Sequence, residues 1–263
     1  MSLRINTNVE AFNAHRNLES TSGKLAKSME RLSSGFRINR AADDAAGLAI
    51  SEKLRGQIGG LNQARRNVQD GISLVQTAEG SLTEVHSMLQ RVRELKVQHE
   101  NGTLAAADRG AIASEVAQLT AEVERLGVTT QFNGITLLDG RNPAIRFQVG
   151  ANDDEVISVA TVSLEERITR LTVASTLAAL DAAINVVSDQ RAAFGAVQNR
   201  LEHTYNNLSV YQENLSASES RIRDVDMAAE MVTFTKNNIL QQAGTSMLAQ
   251  AQQAPQAVLS LLR

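Results

Sequence analysis

The side chains best able to do chemistry are few in this sequence and lie far apart. There are four histidines, His15, His86, His99 and His203, and no cysteine. Without thiolates there is no disulfide, no sulfur metal ligand and no cysteine nucleophile. A histidine pair that holds a metal needs both rings on one helical face, three or four residues apart. Glu100 directly follows His99, and on a helix that spacing turns its carboxylate elsewhere. The histidines therefore read as surface or seam-edge residues. The carboxylates of "GANDDE", 150–155, lack the pattern of a calcium loop and read as a solvated turn. No phosphate loop, zinc-protease histidine pair or nucleophile elbow occurs. Asn101-Gly102-Thr103 matches a glycosylation sequon, a weak pattern alone. No catalytic, cofactor-binding or metal residues are expected, and the chain is not expected to be an enzyme.

One charged run is of a different kind. In "LQRVRELKVQ", 89–98, Leu89 and Val92 fall on an apolar repeat. Gln90, Arg91, Arg93, Glu94 and Lys96 are expected outward or on the flank of that repeat. On residue types alone this is a charged helix face with Glu/Arg pairs.

The elements that would carry these residues are long helices. The chain has 263 residues, 43 % apolar but only 3 % aromatic, with no tryptophan. Scarce aromatics favour thin helix–helix seams over a thick core with a small-molecule pocket. Only two prolines occur, Pro143 and Pro255, so very long helices are permitted. Net charge is −3 and uneven. Residues 1–42 hold seven Lys/Arg against three Glu, and the middle of the chain carries the acid excess. No aromatics interleave with the basic arm to stack on bases, so no nucleic-acid partner is expected. The first residues form no secretory-type apolar core, and no run approaches a membrane span. No membrane partner is expected, and any export would not use a cleaved signal peptide.

Between 58 and 96 the residues Leu61, Ala64, Val68, Gly71, Val75, Ala78, Leu82, Val85, Leu89 and Val92 alternate steps of three and four. All are apolar or small, as in a coiled-coil seam. A helix from Gln57 to His99 should end at Asn101-Gly102. A second helix carries Ile112, Val116, Leu119, Val123 and Leu126, with Gly127 as terminator. Residues 131–163 are β-rich and turn-rich, a hairpin with its tip near Asn152-Asp153-Asp154. Farther on, Leu180, Val187, Phe194, Leu201, Leu208, Leu215 and Ile222 recur every seven residues. Such a strict repeat demands a supercoiled partner, and the 58–96 seam running antiparallel is the obvious one. The fold class expected is mainly α: an antiparallel coiled-coil rod with a small β-hairpin, plus paired terminal helices.

The ends are thinner. Leu18, Leu25, Met29 and Leu32 make a sparse stripe at the front. Leu240, Gly244, Met247, Ala251, Ala254, Val258 and Leu261 make another at the back, flanked by glutamines. Helices like these are marginal alone and suit order acquired among many copies. Leu18, Leu25, Leu32, Leu240, Met247, Val258 and Leu261 are the expected polymerisation seam. Between the front helix and the rod, Ser33-Ser34-Gly35 should break the chain, and Asp43 or Asp44 should cap a short new helix.

"RLSSGFRINRAADDAAGLAISEKLRGQ" closely resembles the N-terminal signature of bacterial flagellin. So do "INTNV", "LQRVRELKVQ", "QFNG" and "FQVGAN", and "SASESRIRDVDMAAEM" with the Gln-rich tail resembles the C-terminal one. Only the hairpin separates the two halves, as in a minimal, core-only flagellin. The resemblance implies terminal helices, 1–45 and 223–263, lining a filament channel, with a spoke at about 34–56. It implies an outer rod from 46 to 222. It also implies a homopolymer in the extracellular flagellar filament, used for swimming, and type III export without cleavage. The implied partners are a chaperone on the C-terminal segment, a filament cap and hook–filament junction proteins. By the same resemblance, Gln90, Arg91, Glu94, Leu95 and Glu115 are inter-subunit contacts and the patch gripped by the vertebrate Toll-like flagellin receptor. Lys96 departs from the small residue usual there. A hook–filament junction protein shares the terminal helices, but the dense N-terminal match and "FQVGAN" favour the filament subunit. A cytoplasmic coiled-coil signalling rod explains the heptads but not the small-residue ends.

Overall fold

The computed structural model of the chain describes residues 7–142, 144–161, 163 and 172–261, with side chains as far as 253. The elements are α1 (Val9–Ser34), α2 (Ala45–His99), α3 (Ala106–Thr129), β1 (Gln131–Phe132) and β2 (Ile135–Thr136). They continue with β3 (Ala144–Gln148), β4 (Val156–Ala160), α4 (Leu177–Arg223) and α5 (Met227–Leu261). Packing divides the chain into two units: residues 57–213, and residues 1–56 with 214–263.

In the unit of 57–213, all ten seam positions of α2 named above are buried. Their counterparts on α4, Leu180, Val187, Phe194, Leu201 and Leu208, are buried too. The helices run antiparallel. Arg93 Nε donates to Asp181 at 2.7 Å, Arg191 lies 3.9 Å from Glu79, and the Arg65 guanidinium sits 5.0 Å above the Tyr205 ring. Each fully buried leucine or valine contributes roughly 1.5–3 kcal/mol, so this seam is the main favourable term holding α2 to α4.

The start of α2 differs from expectation. Instead of a short helix followed by a new one at Gln57, a single helix of 55 residues runs from Ala45. At 1.5 Å per residue it spans about 80 Å. A helical glycine costs about 1 kcal/mol, too little for Gly59-Gly60 to break a helix packed on one side. Gly60 also has a packing reason, since a Cβ there would come 2.9 Å from the Ala151 Cβ at the hairpin tip. Helix α3 buries Ile112, Val116 and Val123 and runs past Gly127, itself buried, to Thr129.

The hairpin of β3 and β4 has its turn at the expected place, with Phe147 opposite Ile157 and Ile145 opposite Val159. Ile157 and Val159 alternate inward, as a half-buried strand should. Asn67 Nδ2 on α2 donates to the Gln148 carbonyl and Gln190 Nε2 on α4 to the Ala160 carbonyl, each at 3.0 Å. These bonds tie both strands to the helices. A second, tiny hairpin of β1 and β2 turns at Asn133-Gly134, with φ of 50° and 78°. Both central residues of a type I′ turn need positive φ, which is why Asn-Gly serves there.

In the other unit, α1 and α5 lie antiparallel. Asn8 Nδ2 donates to the Ala251 carbonyl at 2.7 Å, and at the opposite end Arg31 lies 3.5 Å from Glu230. Helix α1 stops where expected: Gly35 takes φ of 76° and its N–H bonds back to the Arg31 carbonyl. Asp44 Oδ1 accepts from the Gly47 N–H at 2.8 Å, capping the new helix.

Candidate assembly surface and charged rod face

The inner side of α1 is set by Ala11, Ala14, Leu18, Thr21, Leu25, Ser28 and Leu32, in alternating steps of three and four. Facing it on α5 are Phe234, Asn237, Gln241, Gly244, Leu248 and Ala251. Ser28 and Asn237 are the two of these that are fully buried. The inner seam is therefore small and partly polar. Its backbones approach closely, with α-carbons of the two helices within 8 Å of each other.

Leu18, Leu25, Leu32, Phe234 and Leu248 are half-buried in that seam, but nine other large apolar groups of the pair point outward. Val9, Phe12 and Met29 on α1 are exposed, as are Met227, Met231, Val232, Ile239, Leu240 and Met247 on α5. Met231, Val232, Thr235, Lys236, Ile239 and Leu240 line a shallow groove. Apolar surface gathered this way marks a site of association.

The expected seam is thus split. Leu18, Leu25 and Leu32 lie half-buried on the inner side of α1. Leu240 and Met247 do not face α1: they are 46 % and 62 % exposed. Val258 and Leu261 lie outside the described side chains. Within the pair, Gly244 and Ala251 share their inward side with Gln241 and Leu248, and Leu240 and Met247 lie outside it. Helix α5 is apolar on its outer face and polar on part of its inner one, so ranking frames by hydrophobicity selects the wrong neighbours.

Between α1 and α2 the chain is pinned to the end of α4. Arg37 N–H donates to the Arg223 carbonyl at 2.7 Å and Val225 N–H to the Gly35 carbonyl at 3.0 Å, around a bridge between Phe36 and Asp224. The Arg223 guanidinium lies 4.7 Å from the Phe36 ring centre and donates to Glu52 at 3.0 Å. Ile38 is fully buried. A Cβ on Gly47 would overlap Asp44 Oδ2 and come 2.8 Å from Ile38 Cδ1, so any larger residue forces these side chains to move. Asp43 accepts from Lys27 Nζ at 2.6 Å and from the N–H groups of Arg40 and Asn39. The Lys27 bond foremost, with those backbone bonds, holds its carboxyl down at about 2. The Ser33-to-Asp44 stretch is thus an ordered connection.

On the rod, Arg91 is the centre of a charged cluster. Its Nε and Nη2 donate to Glu115 Oε1 at 3.2 and 3.1 Å, and its Nη1 to Glu94 at 3.3 Å. Glu115 first and Glu94 second stabilise the guanidinium and raise its pKa. Gln90 Nε2 bonds His86 Nε2 at 2.9 Å. Gln90, Arg91, Glu94 and Glu115 are all exposed, so the structure brings four of the five expected contact residues to one surface. Leu95 is the exception: at 2 % exposed it is a core residue and presents no surface. Lys96 also departs from expectation. It is 8 % exposed, and its Nζ donates to the Val173 carbonyl at 2.5 Å and to Glu100 at 2.6 Å. The signal was available, since Lys96 is the next step of four after Val92 in the α2 seam. Among the described residues, no group of acidic, histidine or cysteine side chains could hold a metal. No described helix is long and apolar enough to cross a membrane.

These features define a helical structural protein: an antiparallel rod with a continuous buried seam, and a terminal helix pair that leaves many of its large apolar groups exposed. The bacterial flagellin N-terminal helical region matches residues 5–143, and the C-terminal helical region matches residues 177–262. Flagellin of Halalkalibacterium halodurans is 56 % identical, over 98 % of this chain and 99 % of that one. Flagellin of Bacillus subtilis is 51 % identical, over 99 % of this chain and 100 % of the other. The crystal structure of Bacillus cereus flagellin aligns with a TM-score of 0.50 at 30 % identity, over 54 % of this chain and 88 % of that one.

The chain belongs to the bacterial flagellins. It is a structural subunit of the flagellar filament, serving motility by homopolymerisation, and is not an enzyme. Only residues 144–176 separate the two matched regions, so it is a core-only member without an outer domain between them.

Proposed function

We infer that the subunits join through the outer apolar faces of α1 and α5, with Leu240 and Met247 on the contacting side and Leu18, Leu25 and Leu32 holding the pair together. One observation carries this: the pair's inner seam mixes a few half-buried leucines with Thr21, Ser28, Asn237, Gln241 and small residues, while nine further large apolar groups face water. A helix pair built that way gains most of its burial from neighbours, and the ordering entropy is offset by those contacts. Non-closing head-to-tail contacts then give a filament. On this reading residues 1–45 and 223–263 form the terminal domain, residues about 34–56 the spoke, and residues 46–222 the outer rod. Deleting 240–263 should leave the rod folded by circular dichroism and abolish filaments in the electron microscope. Normal filaments from that truncation would refute the assignment.

The family resemblance extends the reading. The chain is exported by the flagellar type III apparatus to an extracellular filament. A chaperone covers its C-terminal segment, and cap and hook–filament junction proteins meet it at the filament ends. The exposed cluster of Gln90, Arg91, Glu94 and Glu115 is the candidate surface for neighbouring subunits and for the vertebrate Toll-like flagellin receptor. Leu95 supports that surface from beneath. A reporter-cell assay with purified monomer tests the receptor assignment: Arg91→Ala should weaken the signal, and a silent wild type sinks it.

A further inference from the structure

The chain has six methionines, no cysteine and no tryptophan. Thioethers are therefore its readiest targets for two-electron oxidation. They are unevenly placed. Met29, Met227, Met231 and Met247 all lie on α1 or α5 and all are exposed, whereas Met88 on α2 is half-buried. Met231, 49 % exposed, lines the groove with Val232, Ile239 and Leu240. Met247 lies two helical turns beyond Leu240, on the same side of α5. Both side chains, 49 % and 62 % exposed, are open to a small oxidant in the free chain. Both sit on the face that assembly covers, and the inference rests on that reading.

We propose that Met231 and Met247 are modification sites whose oxidation by a peroxide blocks assembly. The sulfur lone pair attacks one peroxide oxygen and the O–O bond breaks. The sulfur gives up two electrons and becomes a sulfoxide. The proton of the transferred oxygen passes to the leaving oxygen, so hydrogen peroxide is reduced to water. The side chain changes from a flexible apolar group into a strongly polar one. A sulfoxide oxygen keeps its water unless a donor meets it, and an apolar interface supplies none. Oxidation thus removes free chains from the assembling pool. In a filament the same sulfurs are covered, so the finished polymer resists. The lesion is reversible by methionine sulfoxide reductases.

The test treats purified full-length monomer with hydrogen peroxide and maps sulfoxide at each methionine by peptide mass spectrometry. Seeded polymerisation then gives the critical concentration. Untreated wild type must polymerise with its α5 face covered. If it polymerises while Met231 and Met247 stay as reactive in filaments as in monomer, the covered-face reading fails and the proposal falls with it. Sulfoxide at both positions should raise the critical concentration by about tenfold or more. Reductase treatment should restore it. The M231L/M247L variant should polymerise alike before and after peroxide. If the oxidised wild type keeps its critical concentration, or the double variant loses as much as wild type, the proposal is overturned while the assembly reading stands. Should the double variant fail to assemble even untreated, the wild-type arm with reductase reversal decides the matter.

Discussion

Gly244 of α5 and Leu18 of α1 meet across the terminal pair: a Cβ on Gly244 would lie 3.2 Å from Leu18 Cδ1 and 3.9 Å from its Cβ. Alanine fits if the leucine methyl shifts slightly, and it gains about 1 kcal/mol of helix propensity. Gly244→Ala should therefore be close to neutral. Gly244→Leu has no room and should cost about 1–3 kcal/mol, loosening α1 from α5. Amide exchange across residues 14–25 of the monomer checks this. Unchanged protection in Gly244→Leu would mean that the pair is not held at this point.

Lys96 and Glu100 share one ion pair but are not equally placed. Lys96 is buried and also satisfies the Val173 carbonyl, while the Glu100 side chain is 61 % exposed. Lys96→Ala leaves that carbonyl without its donor and should cost about 1–3 kcal/mol. Glu100→Gln removes only a screened partner and should cost far less. Urea midpoints of the two variants measure the difference, and equal losses would contradict the burial argument.

Asp43 titrates at about 2 in the folded chain against an ordinary 3.8. Its folded pKa is the lower one, so its contribution is complete above about pH 4 and fades as pH falls through about 2. Asp43→Asn should lower stability at neutral pH and flatten the decline between those values. Thermal melts of both proteins across that range provide the check. Parallel curves would show that the Lys27 and backbone bonds do not stabilise the connection.

Leu95 and Arg91 separate packing from surface chemistry within one short run. Leu95→Ala opens a cavity in the rod and should cost about 2–5 kcal/mol. Arg91→Ala breaks exposed, solvent-screened ion pairs with Glu94 and Glu115 and should cost far less. Denaturation of each variant precedes any binding assay. A Leu95→Ala protein that binds weakly but melts early has lost its fold, not a contact.

Much of the fold was legible because its signals are local and periodic. The seven-residue recurrence from Leu180 to Ile222 demanded a partner, and the 58–96 seam was the one stretch long enough to serve. Gly35 marked a helix end and the Asp43-Asp44 pair a helix start by backbone and capping chemistry, and the structure chose Asp44 as the cap.

Orientation about a helix axis was another matter. Periodicity places Leu240, Gly244 and Met247 on a stripe, but which stripe meets α1 depends on what α1 presents. A chain of leucines, alanines and glutamines cannot rank those frames by composition. Packing did so: close approach at Gly244 and Ala251 turned Gln241 and Leu248 inward and left Leu240 and Met247 facing water. The same holds for Lys96, whose ammonium meets the Val173 carbonyl from a segment distant in sequence. Local rules state which elements form, and only neighbours from elsewhere in the chain choose the side each one buries.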